Sequence, residues 1–90
     1  MDGHQQRKAR IAAREALEAL ATGEAHRART AAARAVELDQ LGIYEAFRAA
    51  VQRAAGDVEA DGIPRPSAWD AIAASLGPNP LAATARRLGS

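Results

Sequence analysis

The sequence predicts an all-α fold, a small array of four or five amphipathic helices. Apolar residues recur at helical spacing in several segments that glycine or proline separates. Of the 90 residues, 25 are alanine, the strongest helix former. β-Branched residues are few and never alternate with polar ones, so no segment has the pattern of a strand. Ninety residues suit one domain, and we expect residues 1–90 to form it.

The first two helices are predicted to form an antiparallel hairpin. The first is expected from about Gln5 to Ala21, after a disordered tail at residues 1–5. Thr22-Gly23 ends it, because glycine readily adopts the left-handed conformation just past a helix end. The second helix runs from Glu24 to about Leu38, and its apolar stripe is almost entirely alanine. A connection of two or three residues forces two such helices to lie antiparallel.

The third helix follows a break at Gly42 and has the most regular apolar stripe in the chain. A Pro-containing loop at residues 61–66 separates it from the fourth helix. Pro64 and Pro66 lack backbone donors, and the residue before each proline avoids the helical region. The members of the stripe are Ile43, Phe47, Ala50, Val51 and Ala54.

Two capping signals mark the C-terminal helices, which we expect to fold back and cap the hairpin. Ser67 is the predicted N-cap of the fourth helix. Asn79 and Pro80 are the predicted N-cap and first residue of a short fifth helix. The expected core combines large side chains from both halves of the chain: Leu17, Leu20, Val36, Phe47, Trp69, Ile72 and Leu76.

Residues 12–39 carry a pattern typical of repeat proteins. Gly23 lies at a helix turn, small residues follow along the second helix, and Leu38-Asp39 closes the unit. This pattern resembles the hairpin of a tetratricopeptide (TPR) repeat. The match fades upstream, where Ala12 replaces the bulky residue usual in the family. The resemblance implies binding of another protein through a concave helical surface.

The sequence therefore favours a non-catalytic protein–protein interaction module, with a homodimer as one form of it. Alanine buries little area, so the core is thin, and docking a partner or a second copy would add burial. The candidate binding residues lie on the aromatic third helix. They are Tyr44, Phe47, Arg48 and Val51.

One alternative is a DNA-binding regulator with a helix-turn-helix formed by residues 67–88. Arg65, Arg86 and Arg87 would then contact phosphates. Pro78 and Pro80 in the turn depart from that motif. The formal net charge of +1 also disfavours binding of nucleic acid by bulk electrostatics.

A second alternative is a weak acidic ion site. Asp57, Glu59, Asp61 and Gly62 resemble the opening of an EF-hand calcium loop, which places carboxylate oxygens at alternate positions before a glycine. Ala68 stands where the bidentate glutamate belongs. That substitution removes two ligand oxygens, so any affinity for Ca²⁺ should be poor.

Catalysis has little support in the sequence. The chain has no cysteine, no Gly-rich phosphate loop, and no serine with a predictable His-Asp partner. We therefore expect no enzyme activity, no cofactor and no metal. No apolar run reaches the roughly 18 residues of a membrane span, and the first ten residues lack an apolar signal core. A cytoplasmic protein without membrane contact is the expectation.

Overall fold

The computed structural model describes residues 2–90, with side chains from residue 3, and this part of the chain is all-helical. The helices are α1 (Asp2–Ala21), α2 (Ala25–Leu38), α3 (Glu45–Asp61), α4 (Pro66–Leu76) and α5 (Leu81–Leu88). No strand occurs within the described residues. The predicted all-α array is therefore confirmed. None of these five helices combines the length and the hydropathy needed to cross a membrane.

Helices α1 and α2 lie antiparallel around a tight turn. The backbone N–H of Glu24 donates to the carbonyl of Ala19 at 2.8 Å, and Gly23 adopts φ +76°. At the other end, Gln6 Nε2 donates to Asp39 Oδ1 at 3.0 Å, which joins the start of α1 to the end of α2. Helix α1 begins at Asp2, so residues 2–5 are helical where a disordered tail was expected. No apolar periodicity marks these residues, so the sequence carries no helix signal there.

Alanine lines the interface between α1 and α2. Because alanine adds only a methyl group, the two helix backbones can approach closely, at the expense of a small buried area per residue. The fully buried alanines of the hairpin are Ala9, Ala13, Ala16 and Ala19 on α1, with Ala28, Ala32 and Ala35 on α2.

The bulky side chains hold the second half of the chain to the hairpin. Helix α3 packs on α2, α4 packs on α3, and α5 returns to contact α1. The rings of Tyr44 and Phe47 meet edge to face with centroids 5.8 Å apart. All the predicted core residues are buried except Val36, which is half-buried. The largest fully buried side chains are Tyr44, Phe47, Leu17, Leu20, Ile72 and Val51.

The two C-terminal helices start in different ways. Helix α4 has Arg65 as its N-cap and Pro66 at its first position, while Ser67 is exposed and makes no capping bond. Proline fixes φ at a helical value, which explains why the helix starts two residues earlier than the serine signal predicts. Helix α5 begins at Leu81 with Pro80 as its N-cap, one residue later than predicted. The Oδ1 of Asn79 accepts the backbone N–H of Leu81 at 3.0 Å, so Asn79 satisfies one backbone donor at the helix start.

Candidate functional site

The residues predicted to bind a partner through α3 lie mostly in the core. Tyr44 is 1% exposed, and Phe47 and Val51 are not exposed at all. Their stripe faces the helices that sandwich α3, so it holds the domain together and offers no face on which a partner protein could dock. The prediction of a binding face at these three residues is therefore corrected.

Arg48 differs from the other three members of that predicted face. It is half-buried, and its Nε is buried without a hydrogen-bond partner among the described residues. A buried guanidinium nitrogen without an acceptor is unfavourable. Arg48 therefore remains a candidate contact.

A groove with a cavity volume of about 490 Å³ runs along the outer face of the hairpin. We call it the α1–α2 groove. Its lining residues are Lys8, Ile11, Ala12, Glu15, His26, Arg27, Thr30, Ala31, Arg34 and Leu38. Ile11 is 60% exposed in it, Leu38 is half-buried, and the alanines Ala12 and Ala31 are buried. The groove thus combines an exposed aliphatic side chain with small buried residues that leave room for a ligand.

Cations outnumber carboxylates around the α1–α2 groove. Arg27 lies 3.7 Å from Glu15 and 3.1 Å from Glu24, so its charge is already paired. Lys8 and Arg34 form no ion pair with any side chain that the structure describes. The groove therefore offers two cations to an incoming group.

The spacing of Lys8, Ile11, Ala12 and Glu15 could have revealed the groove from sequence. These four residues stand at i, i+3, i+4 and i+7, which places them on one helix face. Ile11 lies nine residues before the buried Leu20, or about two and a half helical turns, which places it on the opposite side of α1. Alanines already fill the buried face of α1 at this point, so Ile11 is left outside it.

A second cavity, of about 410 Å³, lies on a different side of α1. We call it the basic cavity. Its lining residues are Gly3, Gln6, Arg7, Arg10, Ile43, Tyr44, Asn79 and Pro80. None of them lines the α1–α2 groove. Burial raises the pKa of Tyr44 above its ordinary value of 10.0, so the hydroxyl keeps its proton at neutral pH.

Asp39 fixes the position of Tyr44 beside the basic cavity. Its Oδ1 accepts the backbone N–H groups of Leu41 and Gly42, each at 3.0 Å, and its Oδ2 accepts that of Tyr44 at 2.7 Å. Burial alone would raise the pKa of Asp39. The hydrogen bonds from Gln6 and from this backbone lower the pKa by more than burial raises it, so it lies below its ordinary value of 3.8. The carboxylate is therefore a structural group that is saturated with donors.

The arginines of the DNA-binding alternative are exposed. Arg65 Nε lies 3.7 Å from Asp57, while Arg86 and Arg87 occupy the last turn of α5. Asn79, the best base-reading group near this helix, is engaged by Tyr44 and Leu81. DNA binding through these residues stays a prediction with no added support.

The acidic motif does not form a calcium loop. Asp57, Glu59 and Asp61 all lie within α3, where alternate residues point to different sides of the helix. Glu59 makes a bidentate pair with Arg29, with both N–O distances 2.8 Å. Nowhere in residues 2–90 do three or more His, Cys, Asp or Glu residues cluster where they could hold a metal ion.

The two cavities beside α1 thus present side chains that could bind a ligand or a partner. One presents an aliphatic side chain and cations, and the other presents arginines and a buried hydroxyl. In comparison with known proteins, the chain matches no family model, no curated protein and no solved structure.

Proposed function

We propose that this protein is a non-catalytic interaction domain that binds an acidic amphipathic segment of another protein in the α1–α2 groove. One observation carries the proposal. Ile11 is 60% exposed in a cavity of about 490 Å³, between cations that have no carboxylate partner among the described side chains.

Apolar burial supplies the affinity in this proposal. Fully burying one aliphatic side chain is worth roughly 1.5–3 kcal/mol. Docked apolar residues would cover Ile11 and the half-exposed Leu38. The buried methyl groups of Ala12 and Ala31 allow a partner backbone to approach closely. The resemblance of residues 12–39 to a TPR hairpin is consistent with such a role.

Charge complementarity supports an acidic partner. Lys8, Arg27 and Arg34 line the groove with Glu15 as the single carboxylate among them. A face-to-face dimer through the groove would place one positive surface against another, which disfavours a second copy as the occupant. A segment with aspartate or glutamate flanking one or two aliphatic residues satisfies both features of the groove.

The test is a selection from a random displayed peptide library against the intact protein. We expect the selected peptides to be rich in acidic and aliphatic residues at helical spacing. Counter-selection uses Ile11→Asp and the pair Lys8→Glu/Arg34→Glu. All three changes are at exposed positions and should leave the fold intact, which circular dichroism checks.

Matched controls separate the groove from surface charge and hydropathy in general. Ile63→Asp removes an aliphatic residue that is 68% exposed elsewhere, and Arg53→Glu reverses an exposed charge on α3. Both controls should retain the selected peptides. No enrichment over the Ile11→Asp variant would overturn the proposal. So would a stable dimer by light scattering that Ile11→Asp converts to monomer, because a second copy would then occupy the groove.

A further inference from the structure

The hydroxyl of Tyr44 is a buried donor without an acceptor. Tyr44 is 1% exposed, and its oxygen accepts a hydrogen bond of 3.0 Å from Asn79 Nδ2. Among the hydrogen bonds of the described residues, the hydroxyl donates none. The oxygen thus has one partner, and the hydroxyl hydrogen is free to donate to a ligand. It lies at the wall of the basic cavity.

Two arginines line the same cavity. Arg7 and Arg10 stand at i and i+3 on α1, where side chains are neighbours. Like charges at this spacing repel each other until an anion lies between them. Neither guanidinium is ion-paired with a side chain in the part of the chain from residue 3 onward.

The remaining side-chain polar groups of the cavity are already satisfied. Gln6 donates to Asp39 Oδ1 at 3.0 Å and accepts the backbone N–H of Gln40 at 2.8 Å. Asp39 is saturated with donors and does not line the cavity, although its charge helps to raise the pKa of Tyr44. Among the described residues, no carboxylate in the wall competes for the arginines or for the Tyr44 hydroxyl. These hydrogen-bond donors therefore favour the same kind of ligand, a group that only accepts hydrogen bonds.

We propose that the basic cavity binds the oxyanion group, phosphate or carboxylate, of a small ligand between Arg7, Arg10 and the hydroxyl of Tyr44. Arginine forks match the geometry of both anions, and the hydroxyl adds one directional donor. Ile43, 43% exposed, and Pro80 form an apolar wall that covers the uncharged part of the ligand. This site goes beyond the proposed function and shares no residue with the α1–α2 groove.

The chain has a single tyrosine, which makes a direct readout possible. Protein labelled with ¹³C at the tyrosine Cζ gives one NMR signal, from Tyr44. Inorganic phosphate and acetate are titrated separately, with sodium chloride holding the ionic strength constant. We expect a saturable shift of the Tyr44 signal and of the Arg7 and Arg10 Nε signals. Saturation with either anion supports the site, and the tighter anion identifies the group that it holds.

Variants test whether these residues carry the binding. Arg7→Gln/Arg10→Gln should raise the dissociation constant at least tenfold, which a loss of charge-assisted hydrogen bonds predicts. Arg14→Gln/Arg53→Gln removes the same charge from exposed positions outside the cavity and should leave the dissociation constant unchanged. Tyr44→Phe should weaken binding in protein that circular dichroism shows to be folded. Linear, non-saturating shifts with both anions, or equal binding by Arg7→Gln/Arg10→Gln, would overturn the proposal.

The peptide-binding proposal and the anion-binding proposal can be tested independently of each other. Lys8→Glu/Arg34→Glu should abolish peptide binding and leave the anion titration saturable. Arg7→Gln/Arg10→Gln should do the reverse. A loss of both activities in either variant would contradict the assignment of two distinct sites.

Discussion

The side-chain amide of Asn79 donates a hydrogen bond of 3.0 Å to the hydroxyl of Tyr44, which links the turn before α5 to the residue before α3. The two residues are 35 positions apart, and the same Asn79 side chain accepts the N–H of Leu81. One amide therefore caps α5 and anchors that helix to the core.

Removing this contact should destabilise the domain moderately. Tyr44→Phe keeps the buried ring and deletes one hydrogen bond, which should lower the free energy of unfolding by about 1 kcal/mol. Asn79→Ala loses the cap as well and should cost about 2 kcal/mol. Urea denaturation of wild type, both single variants and the double variant gives the coupling energy between Tyr44 and Asn79. A coupling energy near zero would contradict the hydrogen bond.

Asp39 should make stability depend on acid pH. Its folded pKa lies below its ordinary value of 3.8, so it stabilises the fold above that pH, and this contribution is lost as pH falls through the folded pKa. Asp39→Ala should lower the free energy of unfolding by about 2 kcal/mol at pH 7, because three backbone N–H groups and Gln6 lose an ionised acceptor. Urea denaturation across the acid range measures the difference from wild type. That difference should shrink as pH falls below 3.8, and a constant difference would refute the assignment.

Two glycines should respond to alanine with opposite signs. Gly23 has φ +76°, and a Cβ there would lie 3.4 Å from the Gly62 carbonyl oxygen, so Gly23→Ala should lower stability by roughly 1–2 kcal/mol. Gly56 lies within α3, and a Cβ would meet nothing within 4 Å. Gly56→Ala should raise stability by roughly 0.5–1 kcal/mol, because alanine is the better helix former. Thermal unfolding compares the pair, and equal signs would contradict the backbone geometry.

Gly89 should tolerate no side chain beside Trp69. A Cβ at residue 89 would lie 2.5 Å from Trp69 Cβ and 2.7 Å from its Cγ, and no rotation of the side chain can move the Trp69 Cβ away. We expect Gly89→Ala to shift the end of α5 or the indole, at a cost of about 1–3 kcal/mol. The emission of the single tryptophan should change together with the thermal midpoint. Ser90→Ala at the exposed next position is the control and should alter neither.

Local signals predicted the elements of this fold well. Helical periodicity and glycine or proline breaks predicted four or five helices, and the structure has five in the part of the chain that it describes. Asn79 before Pro80 predicted the start of α5 to within one residue. The N-cap prediction for α4 was two residues late, because Pro66 fixes the helix start more strongly than Ser67 does. Helix α1 extends to Asp2 without an apolar signal in its first turn.

It was harder to predict which face of each helix stays exposed to solvent. Tyr44, Phe47 and Val51 appeared to be a binding face, yet an apolar stripe has the same period whether a partner or the domain itself covers it. Ile11 shows the converse, an aliphatic residue that the fold leaves exposed. The basic cavity joins residues from α1, from Ile43-Tyr44 and from Asn79-Pro80, and only the tertiary fold brings such distant segments together.

Reversing the charges of the groove, of the bound peptide and of both together tests the central claim most directly. A selected acidic peptide, labelled with a fluorophore, is titrated with wild type and with Lys8→Glu/Arg34→Glu, and a second peptide carries lysine at each acidic position. The account predicts at least tenfold weaker binding of the acidic peptide by the variant, and recovery of affinity with the lysine peptide, because like charges repel across an interface. Equal binding of the acidic peptide by wild type and variant, with no gain for the lysine peptide, would contradict it.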